Sequence, residues 1–382
     1  MEMKNNIPLK NFSDYFFENI SIGSTNQIQI TSACNGDCIF CSNKQNPFII
    51  KRCSFRSIEE IEKIVYATEN INGPIYLNES LPGRISEGEA FLHPEFFTIL
   101  KIIRTKFGNT INITTNASLL KPDFIKRMKD CNPIEIAISF PTINKEHWKE
   151  TFRLGDDDYY TALNSFSLLS SNNIGVTANF TPMPAWLGWE EIEETLSFLS
   201  KNVRHILVYA PGYTSTSEIK DKLIYDKMEL SLFLEEMSKK YSFTYTWNLD
   251  PRKALAVSYD LITNNIWYSY KSLNCRNFLW LTSTAAKDRF EELLYKLSLG
   301  TPINNTVIEV KNIIYGGNIE CSGLWLIQDI HYALEDYLSK NDSPDQIFMP
   351  KGFLDKYGFD LQGENIIELF KKYNNLRVGL LG

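Results

Sequence analysis

The sequence predicts an α/β fold in which a parallel sheet is built from repeated strand–helix units. Two observations support this prediction. Through the first half of the 382-residue chain, short strand-like runs alternate with runs that have apolar residues at helical spacing. Alternation of this kind is typical of βα units that close around a parallel sheet. The chain is also 43% apolar, which is enough to bury a large core.

Six strands are predicted in the first half, each as a short apolar or alternating run. They are Gln27–Thr31, Pro74–Asn78, Thr110–Thr115, Ile134–Phe140, Gly175–Thr181 and His205–Ala210. Five periodic stretches between them are predicted as helices: Ser57–Glu69, Pro94–Lys106, Pro122–Lys129, Asp158–Ser170 and Trp189–Lys201. Because ligands bind at the carboxyl ends of parallel strands, polar residues that follow these strands are candidates for a functional site.

The strand–helix alternation fades after Pro211, so we place the end of the first domain near residue 215. The predicted division is an N-terminal extension at 1–25, a core at 26–215 and a C-terminal domain at 216–382.

The predicted C-terminal domain begins with a helical stretch at roughly Asp226–Tyr241. Irregular, aromatic-rich sequence follows around Trp247, Trp267 and Trp280. A strand then starts at Val307 and a helix near Gln328, with the turn residues Tyr-Gly-Gly-Asn between them. This pattern favours a separate α+β unit.

Charge and hydropathy argue against several classes of protein. The net charge of −7 disfavours a nucleic-acid surface, because phosphate binding uses clustered Lys and Arg. The sequence has no run of 18 consecutive apolar residues, so no membrane-spanning helix is predicted. Residues Met1–Ile20 lack the basic start and apolar core of a signal peptide. We therefore expect a cytoplasmic protein.

Three of the seven cysteines, Cys34, Cys38 and Cys41, form a C-x3-C-x2-C motif directly after the first predicted strand. Thiolates hold iron–sulfur clusters, and a cluster with three protein ligands has one iron open to a small molecule. Tetrahedral zinc needs four ligands, and the sequence has no second paired motif to complete such a site. The odd cysteine count disfavours a disulfide framework. A cluster site is favoured, with zinc binding or plain packing as the alternatives.

With Phe40 before its last cysteine, this loop resembles the signature loop of radical S-adenosylmethionine (SAM) enzymes. The resemblance implies a partial (β/α)6 barrel and a [4Fe-4S] cluster held by Cys34, Cys38 and Cys41. It also implies that the open iron chelates SAM. Reductive cleavage of SAM then gives a 5′-deoxyadenosyl radical, which removes hydrogen from an unactivated C–H bond. The protein has to position cofactor and substrate and to exclude water.

Other segments resemble SAM-binding segments of that family. Gly88 and Glu89 match part of its Gly-Gly-Glu-Pro segment, which implies that they hold the amino group of SAM. Asn116 matches its Thr-Asn-Gly segment, which implies a contact to the ribose or carboxylate, with a turn-forming role as the alternative. Ser139 and Arg153 resemble positions that contact the ribose hydroxyls and the SAM carboxylate. A surface ion pair is the alternative for Arg153.

A second resemblance covers Val310–Ile330, which is similar to an uncharacterised domain found behind some radical SAM cores. It carries no activity over to this chain, and we expect it to close the barrel mouth and complete the substrate pocket. Among the scattered cysteines, Cys275 is a candidate hydrogen donor to a radical intermediate. The alternative is a buried small hydrophobe, the common role of an isolated cysteine.

The leading functional hypothesis is an enzyme that uses the adenosyl radical on a C–H bond of a small-molecule substrate. Its electron would come from a flavodoxin or ferredoxin-type donor in a reducing, low-oxygen compartment. One alternative is methyl or aminocarboxypropyl transfer from SAM at the same cluster. The other is a non-catalytic iron–sulfur protein.

Overall fold

The computed structural model of the protein describes residues 26–41, 47–48, 55–68, 73–78, 88–217, 219–245, 259–354, 358–373 and 376–381. The predicted N-terminal extension and Trp247 lie outside the described residues. The described strands form two sheets, and all neighbouring strands within each sheet are parallel. The predicted α/β class is therefore confirmed.

The first sheet has seven strands, and their order in the sheet is their order in the chain. They are β1 (Gln27–Ile28), β2 (Ile75–Leu77), β3 (Ile111–Thr115), β4 (Ile134–Ser139), β5 (Gly175–Phe180), β6 (His205–Val208) and β7 (Thr244–Tyr245). Sequential parallel strands joined by helices match the partial barrel that was expected. All six predicted strands are present. The seventh strand, β7, was not predicted: it has two residues, pairs with β6 and lies beyond residue 215, the predicted end of the first domain.

Eight described helices accompany this sheet. They are α1 (Ile58–Ala67), α2 (Phe96–Lys106), α3 (Pro122–Met128), α4 (Lys145–Phe152), α5 (Asp156–Ser171), α6 (Pro184–Asn202), α7 (Lys220–Leu223) and α8 (Lys227–Met237). Helix α4 was not among the five predicted helices. A cap marks its start, since the Asn144 side chain accepts hydrogen bonds from the backbone N–H groups of Glu146 and His147.

Strands β3, β4 and β5 show the two-residue period of a sheet with unlike faces. Their fully buried Ile, Val, Ala and Phe side chains join apolar residues of the surrounding helices in one core. The half-buried positions between them are mostly polar: Asn112, Thr114, Glu135, Ser139, Thr177 and Asn179. The sheet therefore turns a polar face away from the core.

The second sheet lies in the C-terminal region, with strand order β11-β10-β8-β9. Its strands are β8 (Asn277–Ser283), β9 (Asn304–Val310), β10 (Gln346–Pro350) and β11 (Val378–Leu381). The helices of this region are α9 (Tyr259–Leu273), α10 (Lys287–Ser298), α11 (Ile327–Leu338) and α12 (Ile366–Lys372). None of the described helices of the chain is long and apolar enough to cross a membrane.

This C-terminal unit corrects the α+β expectation. Helices cover both faces of a parallel sheet: Trp280 and Phe348 pack with residues of α9 and α10, whereas Leu281 and Met349 pack with α11 and α12. After the Tyr-Gly-Gly-Asn turn the chain enters a 3-10 helix at Ser322–Leu324 and then α11, which begins next to Gln328 as predicted. A helical crossover brings β10 back parallel, so the unit is α/β.

Candidate functional site

The cysteine loop follows β1 and is held on the end of α4. The backbone N–H of Asp37 donates to the Phe152 carbonyl and that of Ile39 to the Thr151 carbonyl, both at 2.9 Å. The last carbonyls of a helix have no partner within the helix. The loop therefore satisfies the end of α4, and α4 in turn fixes the loop.

The three thiols of the motif lie on this loop at different depths. Cys34 is exposed, while Cys38 and Cys41 are half-buried. The backbone N–H of Cys41 donates to the Cys38 carbonyl at 3.1 Å, which forms a turn between them. The Phe40 ring packs edge-on against Phe152, with 5.9 Å between ring centroids. Phe40 thus fixes the loop against the core.

Three thiols within one anchored turn are the donor set that an iron–sulfur cluster with an open iron requires. They fit that group in kind and number. Among the described residues, no three or more Cys, His, Asp or Glu side chains are gathered closely enough to hold a metal ion. Assignment of Cys34, Cys38 and Cys41 as the ligands stays a prediction.

Gly88 and Glu89 pass directly beside the cysteine loop. The backbone N–H of Glu89 donates to the Ala33 carbonyl at 2.7 Å. A Cβ atom at Gly88 would lie 2.2 Å from that same carbonyl oxygen, so only glycine allows the approach. The segment that is predicted to bind SAM therefore lies beside Ala33, the residue before Cys34.

The Glu89 carboxylate is buried, with 3% of the residue exposed. It accepts hydrogen bonds from the Thr115 hydroxyl at 2.9 and 3.0 Å and from the Asn116 backbone N–H at 3.1 Å. Burial raises the pKa of Glu89 to about 7, and these hydrogen bonds oppose that rise. Glu89 therefore joins the start of a 3-10 helix, Ala90–Leu92, to the end of β3 and can exchange a proton near neutral pH.

Asn116 bridges the end of β3 to the cysteine loop. Its side-chain N–H donates to Asn35 Oδ1 at 3.0 Å, and its own Oδ1 accepts from the backbone N–H and the hydroxyl of Ser118. Asn35 completes the ring by donating to the Ser118 hydroxyl at 2.8 Å. The bonds from Ser118 to the Asn116 side chain are those of a turn-forming asparagine, the alternative given above for this residue. Asn35 and Ser118 were not predicted, because their role depends on a contact over 83 positions of sequence.

Ala117 occupies the position of the family's glycine and adopts a left-handed backbone, with φ 63°. A left-handed conformation places the Cβ atom of an L-residue close to the following carbonyl oxygen. The turn after β3 is therefore strained at a residue that lies between Asn116 and Ser118.

Arg153 forms an ion pair with the cysteine loop, since its Nη1 lies 2.6 Å from Asp37 Oδ2. Both side chains are about half exposed, so this contact adds little stability. Ser139 ends β4 at the register position of Asn179 and is half-buried. The structure thus brings Arg153 to the loop and leaves Ser139 on the polar face of the sheet.

Asn78 is a buried residue at this site that sequence reasoning missed. It follows β2, is 2% exposed and has φ 59°. Its Oδ1 accepts from the backbone N–H groups of Ile30 and Thr31, and its Nδ2 donates to the Gly88 carbonyl at 2.7 Å. A signal was available, because Asn78 ends a predicted strand at its carboxyl end.

Cys275 lies away from these residues in the chain, in the core of the C-terminal unit. It is 1% exposed, and the Arg377 guanidinium is 3.3 Å from its sulfur. Burial raises the pKa of the Cys275 thiol. These surroundings are those of a buried small residue, and the role of hydrogen donor stays a prediction.

The turn after β9 docks on the barrel. Tyr315 is buried, and its ring packs edge-on against Phe48, which follows the cysteine loop, with centroids 5.1 Å apart. Asn318 accepts a hydrogen bond from the backbone N–H of Tyr213 and donates one to the Pro211 carbonyl, both at 2.8 Å. The C-terminal unit therefore contacts the chain near the cysteines and the segment after β6.

Gly317 explains why this turn needs glycine. It has φ 64°, and a Cβ atom there would lie 2.1 Å from the Tyr213 carbonyl oxygen. Two backbones approach each other here more closely than any side chain allows.

Comparison with known proteins identifies the core of the chain. Residues 28–199 match the family model described as the Radical SAM superfamily. This segment contains the three cysteines, Gly88, Glu89 and Asn116, and strands β2 to β5 in full. No curated protein matches the chain.

Several solved structures are similar to part of this chain. Streptococcus suis SuiB bound to precursor peptide SuiA has 17% identity and a TM-score of 0.48, and the match covers 59% of this chain and 50% of that chain. Methylornithine synthase (PylB) has 16% identity and a TM-score of 0.45, with 62% and 68% covered. A structure of anSMEcpe with bound AdoMet has 15% identity and a TM-score of 0.41, with 63% and 66% covered. This chain thus spans about half the length of SuiB.

Proposed function

We propose that this chain, whose residues 28–199 match the model of the Radical SAM superfamily, reductively cleaves SAM at a [4Fe-4S] cluster held by Cys34, Cys38 and Cys41. In this proposal the 5′-deoxyadenosyl radical takes a hydrogen atom from a C–H bond of a small-molecule substrate. One observation carries it. The loop with the three thiols is hydrogen-bonded to the carboxyl end of β3 through Asn116, and the segment that leads into the loop is hydrogen-bonded to the carboxyl end of β2 through Asn78.

When bound, the cluster would supply the electron that cleaves SAM, and the chain's own residues would position the reactants. The Glu89 carboxylate would accept hydrogen bonds from the amino group of SAM, and the backbone bond from Glu89 to Ala33, the residue before Cys34, supports this role. Its burial would strengthen such a bond. Asn116 fixes the turn at the end of β3, which would form the adjoining wall of the SAM site.

We also propose that the C-terminal unit closes the barrel and completes the substrate pocket. The contacts of Tyr315 with Phe48 and of Asn318 with the segment after β6 support this role. The chain would receive its electron from a flavodoxin or ferredoxin-type protein in a reducing cytoplasm. The exposure of Cys34 supports a low-oxygen setting, because an accessible cluster is sensitive to oxygen.

The proposal is tested by anaerobic reconstitution with iron and sulfide, reduction with dithionite and analysis of the nucleoside products. We expect 5′-deoxyadenosine from the unaltered protein. The triple variant Cys34→Ala, Cys38→Ala, Cys41→Ala should produce none. Undiminished 5′-deoxyadenosine from this variant would overturn the assignment of the cluster ligands. Methylthioadenosine or S-adenosylhomocysteine in place of 5′-deoxyadenosine would instead indicate group transfer from SAM.

A further inference from the structure

Asn78 joins the strand that enters the cysteine loop to the segment proposed to hold SAM. Its carbonyl oxygen accepts from the backbone N–H groups of Ile30 at 3.1 Å and Thr31 at 3.0 Å. Its side-chain N–H donates to the Gly88 carbonyl at 2.7 Å, across ten positions of sequence. One buried side chain thus contacts both segments.

The Asn78 bond acts on a single peptide unit, the one between Gly88 and Glu89. The carbonyl of this unit accepts from Asn78, and its N–H donates to the Ala33 carbonyl at 2.7 Å. Both polar groups of the peptide are therefore fixed. Glycine has more backbone freedom than other residues, so Gly88 is the point at which this peptide could rotate. Without the Asn78 bond, only the N–H side would oppose rotation.

Only asparagine suits this position among residues of its size. Two backbone N–H groups need an acceptor and one carbonyl needs a donor, and a side-chain amide offers both. Asparagine also tolerates the left-handed backbone better than most residues, as the φ of 59° requires. Aspartate would keep the acceptor, lose the donor and bring a second oxygen against the Gly88 carbonyl.

The cysteine loop has a second anchorage that does not involve Asn78. The N–H groups of Asp37 and Ile39 donate to carbonyls at the end of α4. Loss of the Asn78 side chain should therefore spare the loop that carries the thiols. It should release the orientation of the Gly88–Glu89 peptide.

We propose that Asn78 is a positioning residue for SAM, which orients the Gly88–Glu89 peptide relative to the cysteine loop. The inference rests on the proposed function. It separates two properties of the protein: SAM affinity depends on Asn78, whereas assembly of the cluster does not.

The test uses the full chain reconstituted anaerobically, with Asn78→Asp as the main variant. Asn173→Asp is the matched control, because Asn173 has the same φ of 59° and lies on the surface before β5. Iron and sulfide content are measured first. The dissociation constant of SAM is then measured by equilibrium dialysis, and the electron paramagnetic resonance (EPR) spectrum of the reduced protein is recorded with and without SAM.

We expect Asn78→Asp to keep the iron content of the unaltered protein and to bind SAM at least tenfold more weakly, because a buried hydrogen bond is lost and two oxygens are opposed. Asn173→Asp should match the unaltered protein in both measurements. If Asn78→Asp does not fold, Asn78→Gly relieves the backbone and removes the same donor. It should show the same weakened SAM binding with the same iron content.

Two results would overturn the inference alone: unchanged SAM affinity in the Asn78 variants, or iron lost in parallel with SAM affinity. An unaltered protein that assembles a cluster but does not bind SAM would overturn the proposed function as well. The unaltered protein therefore distinguishes the two failures.

Discussion

The two sheets of this protein are both parallel, yet they use buried polar residues at their carboxyl ends in different ways. In the barrel, Asn116 joins the end of β3 to the cysteine loop, Asn78 joins the end of β2 to the segment before that loop, and the Glu89 carboxylate accepts from the backbone N–H of Asn116. In the C-terminal unit, Asp329 accepts from the backbone N–H groups of Ile313, Ile314 and Leu326. Asp360 accepts from those of Ile327, Gln362 and Glu364.

The difference lies in what these side chains hold in place. The two C-terminal aspartates fix the start of α11 and the loops beside it, including the turn that docks on the barrel. Within the described part of the chain, the hydrogen bonds to these carboxylates come from backbone N–H groups, and burial raises the pKa of both. The barrel amides hold a loop that carries three thiols. Buried polar groups thus support architecture in one sheet and a site in the other.

The largest effect is expected from loss of Asp329. Asp329 is 1% exposed, so Asp329→Ala would leave three backbone N–H groups without their acceptor in the interior of the protein. Each buried, unsatisfied group costs about 1–3 kcal/mol, so we expect a loss of about 3–5 kcal/mol in the free energy of unfolding. Urea denaturation followed by tryptophan fluorescence measures it. A loss below about 1 kcal/mol would contradict the structural role given to this carboxylate.

The second prediction concerns the pH dependence that Glu89 imposes on stability. The folded protein raises the pKa of Glu89 from 4.5 to about 7. Between these values the folded state keeps a proton that the unfolded chain has lost, so stability falls as pH rises from about 4.5 to about 7 and is constant above that. The contribution is about 3 kcal/mol.

Glu89→Gln tests this assignment, because the amide cannot ionise and still offers an oxygen to Thr115. We expect the variant to lose most of the decline in stability between pH 5 and pH 7, measured by urea denaturation at each pH and compared with the unaltered protein. Equal pH dependence in the two proteins would show that Glu89 is not the group responsible. Under the proposed function, this variant should also bind SAM more weakly.

A smaller loss is expected for Asn116→Ala. The variant removes the acceptor of Ser118 and the donor to Asn35, and we expect a loss of about 2 kcal/mol in the free energy of unfolding. Asn164→Ala, at an exposed position within α5, should not lower the free energy of unfolding. Equal losses in the two variants would contradict the bridging role of Asn116.

The smallest effect is a gain. Ala117→Gly should stabilise the protein by about 0.5–1 kcal/mol, because glycine removes the strain of φ 63° while adding freedom to the unfolded chain. The measurement is the shift in the thermal midpoint. A lower midpoint would show that the Ala117 methyl group, which is fully buried, contributes more by packing than it costs by strain.

The strands of the barrel were predicted well, because the pattern that identifies each strand lies within a few consecutive residues. The buried and polar positions of β3 and β4 alternate within five and six residues, and each strand is followed by a turn. The direction of strand pairing in the C-terminal unit is not local information, so the short β9 pattern was compatible with both a hairpin and a crossover. Strand β7 has two residues, too few for a period.

The candidate site was predictable in its residue types but not in its contacts. Three spaced cysteines stand out in any chain, and Gly88, Glu89 and Asn116 resemble segments of a family. The Arg153–Asp37 ion pair spans 116 positions, and the Asn78–Thr31 bond spans 47. Such contacts depend on how the strand ends meet in space. Asn78 has no neighbouring motif that indicates its partners.

We propose above that the loop held by α4 and Asn116 binds a cluster with an iron open to SAM. The most direct measurement is the EPR spectrum of the anaerobically reconstituted, reduced protein before and after addition of SAM. We predict a [4Fe-4S] signal that changes on addition of SAM, with both signal and change absent from the triple cysteine variant. A cluster signal that is unaffected by saturating SAM would contradict the account.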